Sequence, residues 1–150
     1  MCPADDRSAR GWTLVDVLLS VTLSGILALA ALPRLQEQVL RSRRPDAWAA
    51  LAALELAQER HRMDRGRYAA DLAELGMGSL SAGGHYGLGV MQAHSSGYRI
   101  VAQARSGSVQ EADTPCLFLA VERAGAELHR LAGARPDALI VDTLHRCWPG

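Results

Sequence analysis

The feature that most constrains this chain is an apolar run near its N-terminus. Residues 12–32 read WTLVDVLLSVTLSGILALAAL, 21 residues with a single charge. As a helix they would extend about 31 Å, enough to cross a bilayer core of roughly 30 Å. Arg7 and Arg10 precede the run, and Arg34 follows it. The pattern predicts one membrane-spanning helix, with the N-terminus in the cytoplasm and the C-terminal bulk outside.

Three other interpretations compete with a membrane helix. A secretory signal has a shorter apolar core, of about 7–15 residues, before its small-residue cleavage site. Ala28, Ala30 and Ala31 could imitate such a site, but the run is too long. A lipoprotein signal would place its cysteine after the run, whereas Cys2 precedes it. A buried helix of a soluble protein would not explain the arginines on both flanks.

One residue of the run is out of place. Asp16 is a carboxylate inside an apolar helix, where a charge is costly and points to a function that supplies a partner. No basic residue of the run can be that partner. If the chain were cut between Gly11 and Trp12, the new α-amino group would lie about one helical turn from Asp16. The amine of a neighbouring copy could then pair with this acid in an assembly.

These residues resemble a known signal. Gly11, followed by Trp-Thr-Leu-Val-Asp and the apolar run, is similar to the class III leader of type IV pilins and pseudopilins. The resemblance implies that a prepilin peptidase cuts after Gly11 and methylates Trp12. It also implies that Asp16 replaces the usual Glu in an assembly role, and that Gly25 and Pro33 take the positions where the family softens this helix.

The resemblance extends along the chain. Residues 67–76, RYAADLAELG, and the ending Cys147-Trp148 look like the PilE-like branch of the family. The match is specific over residues 11–76 and loose over residues 77–146, apart from the cysteines. The shortened acid Asp16 and the bulky Trp12, in place of the common Phe, favour a minor subunit.

The pattern along the chain predicts an α+β fold, with a long helix packed on a small antiparallel sheet of three to four strands. Apolar spacings of three and four predict a helical stem, with Pro45 as a kink or a fresh helix start and Gly66 as its stop. Alternating or continuous apolar residues predict strands at 85–93, 98–104, 115–123 and 127–131, with a hairpin loop at 94–97. The predicted segments are a leader (1–11), a transmembrane and assembly helix (12–34), a stem (35–66), a connecting loop (67–84), the sheet (85–131) and a C-terminal region (132–150).

The amino-acid composition gives little support for a binding function. The 16 basic residues balance 16 acidic ones, so net charge gives no general argument for nucleic-acid binding. Arg41, Arg43 and Arg44 form the densest basic cluster. The simpler interpretation is a solvated or subunit-contacting stem face. The sharper one is contact with DNA or lipid head groups, because some members of the family are DNA receptors in natural transformation.

The cysteines predict a disulfide, and no pattern predicts an enzyme. Cys116 and Cys147 lie in the exported part of a small chain, where one bond between them is expected. Closing a loop of this size contributes about 3 to 4 kcal/mol by the chain-entropy argument. His145 could be half of a metal site with Cys147, but no zinc spacing accompanies them. We expect no catalytic residues, no metal and no cofactor.

The sequence thus predicts a structural protein, a minor pilin whose processed helix assembles into a pilus. Two alternatives stay open: a type II secretion pseudopilin, and a DNA-uptake or adhesion pilin that acts as a binding module. The partners implied are other pilin subunits, the prepilin peptidase and the inner-membrane assembly machinery. The implied location is the bacterial inner membrane before assembly and the extracellular pilus afterwards.

Overall fold

A computed structural model describes residues 13–149, without the side chains of residues 27–33. Gly11, Trp12 and the side chain of Pro33 lie outside the described residues. The chain divides into two compact units, Met1–Gln36 and Glu37–Gly150. Among the described residues no helix is long and apolar enough to cross a membrane, so the structure does not confirm the span predicted for residues 12–32.

The first element, α1, is a helix of 52 residues, Leu14–Arg65. Pro45 lacks a backbone N–H, yet α1 continues through it as one helix instead of restarting there. The helix ends one residue before Gly66, whose φ of 71° is in the left-handed region that glycine adopts without strain. The N–H of Gly66 donates to the carbonyl oxygen of Arg62 at 2.8 Å and so closes the last turn.

A five-stranded antiparallel sheet follows the helix. Its strands are β1 (Tyr86–His94), β2 (Gly97–Ala104), β3 (Phe118–Ala124), β4 (Glu127–Gly133) and β5 (Ile140–Val141), and they lie side by side in chain order. Two 3₁₀ turns, Val109–Ala112 and Thr114–Cys116, connect β2 to β3. The fold is therefore α+β, with the type IV pilin architecture predicted from the sequence.

The core lies between the second half of α1 and one face of the sheet. Ala47, Leu51 and Leu54 project from the helix and have no exposed surface. Alternate residues of β2, which share one face of a strand, meet them. The core residues of the sheet are chiefly Tyr86, Tyr98, Ile100, Ala102, Leu119 and Val121.

The sheet differs from the prediction at three places. The β1–β2 turn is tighter, because His94 pairs with Gly97 and leaves two residues in the loop. A side chain at Gly97 would lie 2.1 Å from the carbonyl oxygen of Arg123, so only glycine fits there. Pro115 belongs to a 3₁₀ turn, so β3 begins at Phe118. The fifth strand, Ile140–Val141, was missed because two residues are too few to show a period.

The segment between α1 and β1 is tied to the helix by polar side chains. Gln58, which is fully buried, donates to the carbonyl oxygen of Ala69 at 2.9 Å and accepts the N–H of Ala69 at 2.8 Å. Asp46 accepts the hydroxyl of Ser81 at 2.6 Å and the N–H of Gly83 at 2.8 Å. These bonds satisfy backbone groups of a chain stretch without regular structure, and they position β1.

Candidate functional site

The helix start holds the carboxylate of Asp16 by a reciprocal cap. The N–H and the hydroxyl of Thr13 donate to one oxygen of Asp16, at 3.1 and 2.7 Å. In return the N–H of Asp16 donates to the hydroxyl of Thr13 at 3.2 Å. This is a capping box, with Asp in place of the usual Glu or Gln. Asp16 therefore has a partner within its own chain. The spacing Thr-x-x-Asp would have revealed it.

The rest of this N-terminal unit exposes apolar side chains. Eight residues between positions 14 and 26 are large, apolar and 48–76% exposed: Leu14, Val15, Val17, Leu18, Leu19, Val21, Leu23 and Ile26. The polar hydroxyls among them bond back to the helix, as Ser20 does to the carbonyl oxygen of Asp16 at 2.7 Å. A side chain added at Gly25 would have nothing within 4 Å. This face is uncovered in the isolated chain.

The three arginines of the predicted basic cluster do not share one surface. Arg41 is exposed and forms an ion pair with Glu37 one turn earlier. Arg43 is half-buried. Arg44 is only 8% exposed, and all of its nitrogens donate to protein acceptors. For Arg44 the predicted contact with DNA or lipid is wrong, because its guanidinium points into the fold.

Arg44 joins the helix to two distant segments. Its Nε and Nη2 donate to the two carboxylate oxygens of Asp113, at 2.8 and 2.7 Å, and its Nη1 donates to the carbonyl oxygen of Arg146 at 2.6 Å. Gln110 donates to the same carboxylate at 3.0 Å. The hydrogen bonds that Arg44 donates to Asp113 raise the pKa of Arg44 above its ordinary value and outweigh the effect of burial. No local pattern could reveal a pair 69 residues apart.

The C-terminal tail, residues 134–149, is attached to the rest of the fold by a disulfide and by hydrogen bonds. Cys116 and Cys147 form the predicted disulfide, and both are buried. The indole N–H of Trp48 on α1 donates to the carbonyl oxygen of Cys147 at 3.1 Å. The indole N–H of Trp148 donates to the carbonyl oxygen of Leu131 on β4 at 2.9 Å. The tail is thus attached to the helix, to the sheet and to the turn before β3.

Asp142 organises the last turn of the tail. Its carboxylate accepts three successive backbone N–H groups, those of Arg146, Cys147 and Trp148, at 2.7–3.0 Å. Burial alone would raise the pKa of Asp142. The hydrogen bonds from Cys147, Trp148 and Arg146 outweigh burial and hold the pKa below its ordinary value.

Among the described residues no three His, Cys, Asp or Glu side chains come together in a metal-binding group. Cys147 is engaged in the disulfide and is not available as a thiolate beside His145.

A helix packed on an antiparallel sheet, with a disulfide-tied tail, defines the class of type IV pilins. Residues 33–120 match the family described as "Type IV minor pilin ComP, DNA uptake sequence receptor". The chain is 32% identical over 108 residues to the type IV major pilin protein PilA of Myxococcus xanthus (strain DK1622), covering 72% of this chain and 48% of that protein. It is 29% identical over 100 residues to the fimbrial protein EcpC of Eikenella corrodens, covering 67% and 65%. This chain belongs to the type IV minor pilin family.

The Arg44 contacts predict a large loss of stability when they are broken. Arg44→Leu leaves the buried carboxylate of Asp113 unpaired, which should lower the free energy of unfolding by about 3–5 kcal/mol. Arg41→Leu, at an exposed ion pair, should cost at most about 1 kcal/mol. Denaturant unfolding of the full chain, followed by near-ultraviolet circular dichroism, measures both. Equal effects of the two variants would contradict the role given to Arg44.

The depressed pKa of Asp142 predicts an acid-sensitive tail. The folded pKa lies below the ordinary 3.8, so the ionised carboxylate stabilises the tail above about pH 4. That contribution is lost as the pH falls through the folded pKa. The indole signal of Trp148 in the ¹⁵N-tryptophan-labelled chain, followed from pH 6 to pH 2.5, should report the release and leaves the Trp48 bond to Cys147 in place. Asp142→Asn should show a loosened tail already at pH 6 and no such acid transition.

Proposed function

We propose that this chain is a minor, non-catalytic subunit of a type IV pilus and that it assembles through α1. The family membership carries the proposal. The exposed apolar residues of the N-terminal unit support it, because such a surface requires a cover of lipid or of other subunits. The chain spans about half of PilA and about two-thirds of EcpC, so the activity of the whole protein is part of the proposal.

The proposed route begins in the bacterial inner membrane. Arg7 and Arg10 before the apolar run support an N-terminus in the cytoplasm. A prepilin peptidase would cut between Gly11 and Trp12 and methylate the amine of Trp12. The inner-membrane assembly machinery would then move the subunit into a pilus, beside other pilin subunits, outside the cell.

Three residues of the helix are proposed to serve assembly. The cap from Thr13 occupies one carboxylate oxygen of Asp16, and the other is the proposed acceptor for the new N-terminal amine of a neighbouring subunit. Gly25 leaves space beside the helix, into which a neighbour can pack closely. Pro33 removes one helical hydrogen bond and eases bending there.

Asp16→Ala should separate membrane insertion from assembly. The variant keeps the apolar run, so it should still fractionate with the membrane. Without the carboxylate its amount in sheared pili should fall roughly tenfold, the effect of losing about one charged hydrogen bond. Asp16→Glu should restore it, and Ser20→Ala is a matched control in the same turn. Mass spectrometry of the wild-type protein should show no residues 1–11 and a methylated Trp12. Normal incorporation of Asp16→Ala would remove the assembly role.

A type II secretion pseudopilin would share the leader and the helix. The match to minor pilins favours the pilus, as does the disulfide-tied tail. Deletion of the gene distinguishes the two. Loss of pili with normal secretion of hydrolases supports the pilus subunit, and the opposite result supports the pseudopilin.

DNA binding is a second candidate function, because the matching family is described as a DNA uptake sequence receptor. With Arg44 turned inward, the stem contact would rest on Arg41 and Arg43. Phosphate contacts by two arginines would contribute roughly two units to the slope of log affinity against log salt.

The stem contact is testable by gel mobility shift with the full chain. The double variant Arg41→Ala and Arg43→Ala should weaken duplex binding and lower the salt slope by roughly two. Arg135→Ala is the matched control, since Arg135 is an exposed arginine paired with Asp137. Unchanged binding by the double variant would exclude the stem as the DNA site.

A further inference from the structure

A shallow depression of about 320 Å³ lies where β4 meets the C-terminal tail, which includes β5. We call it the tail depression. Its lining residues that matter here are Leu128, Arg130, Val141, Asp142, His145 and Trp148. The disulfide, the hydrogen bonds accepted by Asp142 and the hydrogen bond donated by Trp148 hold the backbone of this region in place. It is therefore a preformed surface.

Arg130 is the unpaired cation of this surface. Its guanidinium carbon lies 5.6 Å from the centre of the Trp148 ring, in a cation–π arrangement that holds the side chain in place. Arg44, Arg67 and Arg123 each lie within 4 Å of a carboxylate. Among the described residues Arg130 has no such partner. Asp142 is a neighbour, but its carboxylate is turned to three backbone N–H groups.

Aliphatic side chains lie beside Arg130, although His129, Asp142 and His145 also line the depression. Leu128 and Val141 line the depression and are 37% and 47% exposed. Leu144, in the turn that Asp142 closes, is 76% exposed. His145, next to it, has a φ of 50°, a conformation that a non-glycine residue rarely adopts. A cation held beside two exposed aliphatic side chains favours a ligand that combines a negative charge with aliphatic groups.

The charge balance argues against a polyanion as that ligand. Residues 127–149 carry three arginines, at 130, 135 and 146, and three acids, at 127, 137 and 142. Arg135 is already paired with Asp137. Nucleic-acid affinity depends on several phosphates being neutralised together, and this region offers no row of free cations. One unpaired guanidinium beside Leu128 and Val141 instead matches a single carboxylate flanked by aliphatic groups.

We propose that the tail depression docks a protein partner through a Glu or Asp side chain flanked by aliphatic residues. The carboxylate would bind the guanidinium of Arg130, which Trp148 holds in position. The flanking side chains would cover Leu128 and Val141. This proposal is independent of pilus assembly through α1, because it uses none of the residues of the helix start.

Short peptides test the chemistry directly. The probe is acetyl-Leu-Glu-Leu-amide, and its matched control is acetyl-Leu-Gln-Leu-amide. The full chain, in lipid nanodiscs, is labelled with ¹⁵N-tryptophan, so that its three tryptophans give three indole signals. The Glu peptide should shift the Trp148 signal with saturation in the millimolar range. The Gln peptide should bind about tenfold more weakly, because the charged hydrogen bond is absent.

Variants separate this site from unspecific binding. Arg130→Gln should abolish the preference for Glu over Gln, Arg130→Lys should keep most of it, and Arg135→Gln should leave it intact. The Trp48 signal reports whether each variant keeps the tail attached, through its bond to Cys147.

Three outcomes would overturn the proposal. The first is equal binding of the two peptides by the wild-type chain. The second is no shift of Trp148 with either peptide. The third is an Arg130-dependent shift with a 12-base-pair DNA duplex and none with the Glu peptide, which would assign the surface to nucleic acid.

Discussion

The arrangement of the unit Glu37–Gly150 depends on the contacts made by the buried guanidinium of Arg44. The guanidinium binds Asp113 in the 3₁₀ turns and the carbonyl oxygen of Arg146 in the tail, and both segments are far from α1 in sequence. Measured against an apolar replacement, a buried ion pair adds little net stability. Its geometry, however, admits few alternatives, because the three nitrogens of a rigid planar fork each donate to an acceptor at a fixed position. This requirement acts together with the disulfide and the two indole hydrogen bonds to fix the position of the tail.

Features with a local period or a local signal were predictable from sequence. The long helix, its end before Gly66 and the alternation of Tyr98, Ile100 and Ala102 in β2 follow from spacing and backbone chemistry. The pilin architecture followed from the leader and the apolar run. The disulfide followed from counting cysteines. Two kinds of feature could not be predicted from the sequence. They are elements too short to show a period, such as Ile140–Val141, and contacts between residues far apart in the chain.

The candidate sites show the same contrast between local sequence patterns and contacts of residues far apart in the chain. Arg41, Arg43 and Arg44 look equivalent in sequence, yet the helix turns them about 100° apart per residue and only the third meets the core. Asp16 was singled out because a lone acid in an apolar run is costly, and that reasoning overlooked Thr13 three residues earlier. The cap also gives Asp16 a structural role before any neighbour arrives. Arg130 carried no sequence signal, because its setting depends on Trp148, 18 residues further on.

The way in which the tail is fastened has a consequence for its evolution. Apart from the disulfide and Trp148, its bonds to α1 involve main-chain atoms, the carbonyl oxygens of Arg146 and Cys147. Within the tail, Asp142 likewise accepts backbone N–H groups. A main-chain contact is indifferent to the side chain that the residue carries. Positions 143, 144 and 146 can therefore exchange side chains while the backbone beneath them keeps its shape. The exposed side chains of this part of the subunit can therefore change during evolution without a change in its fold.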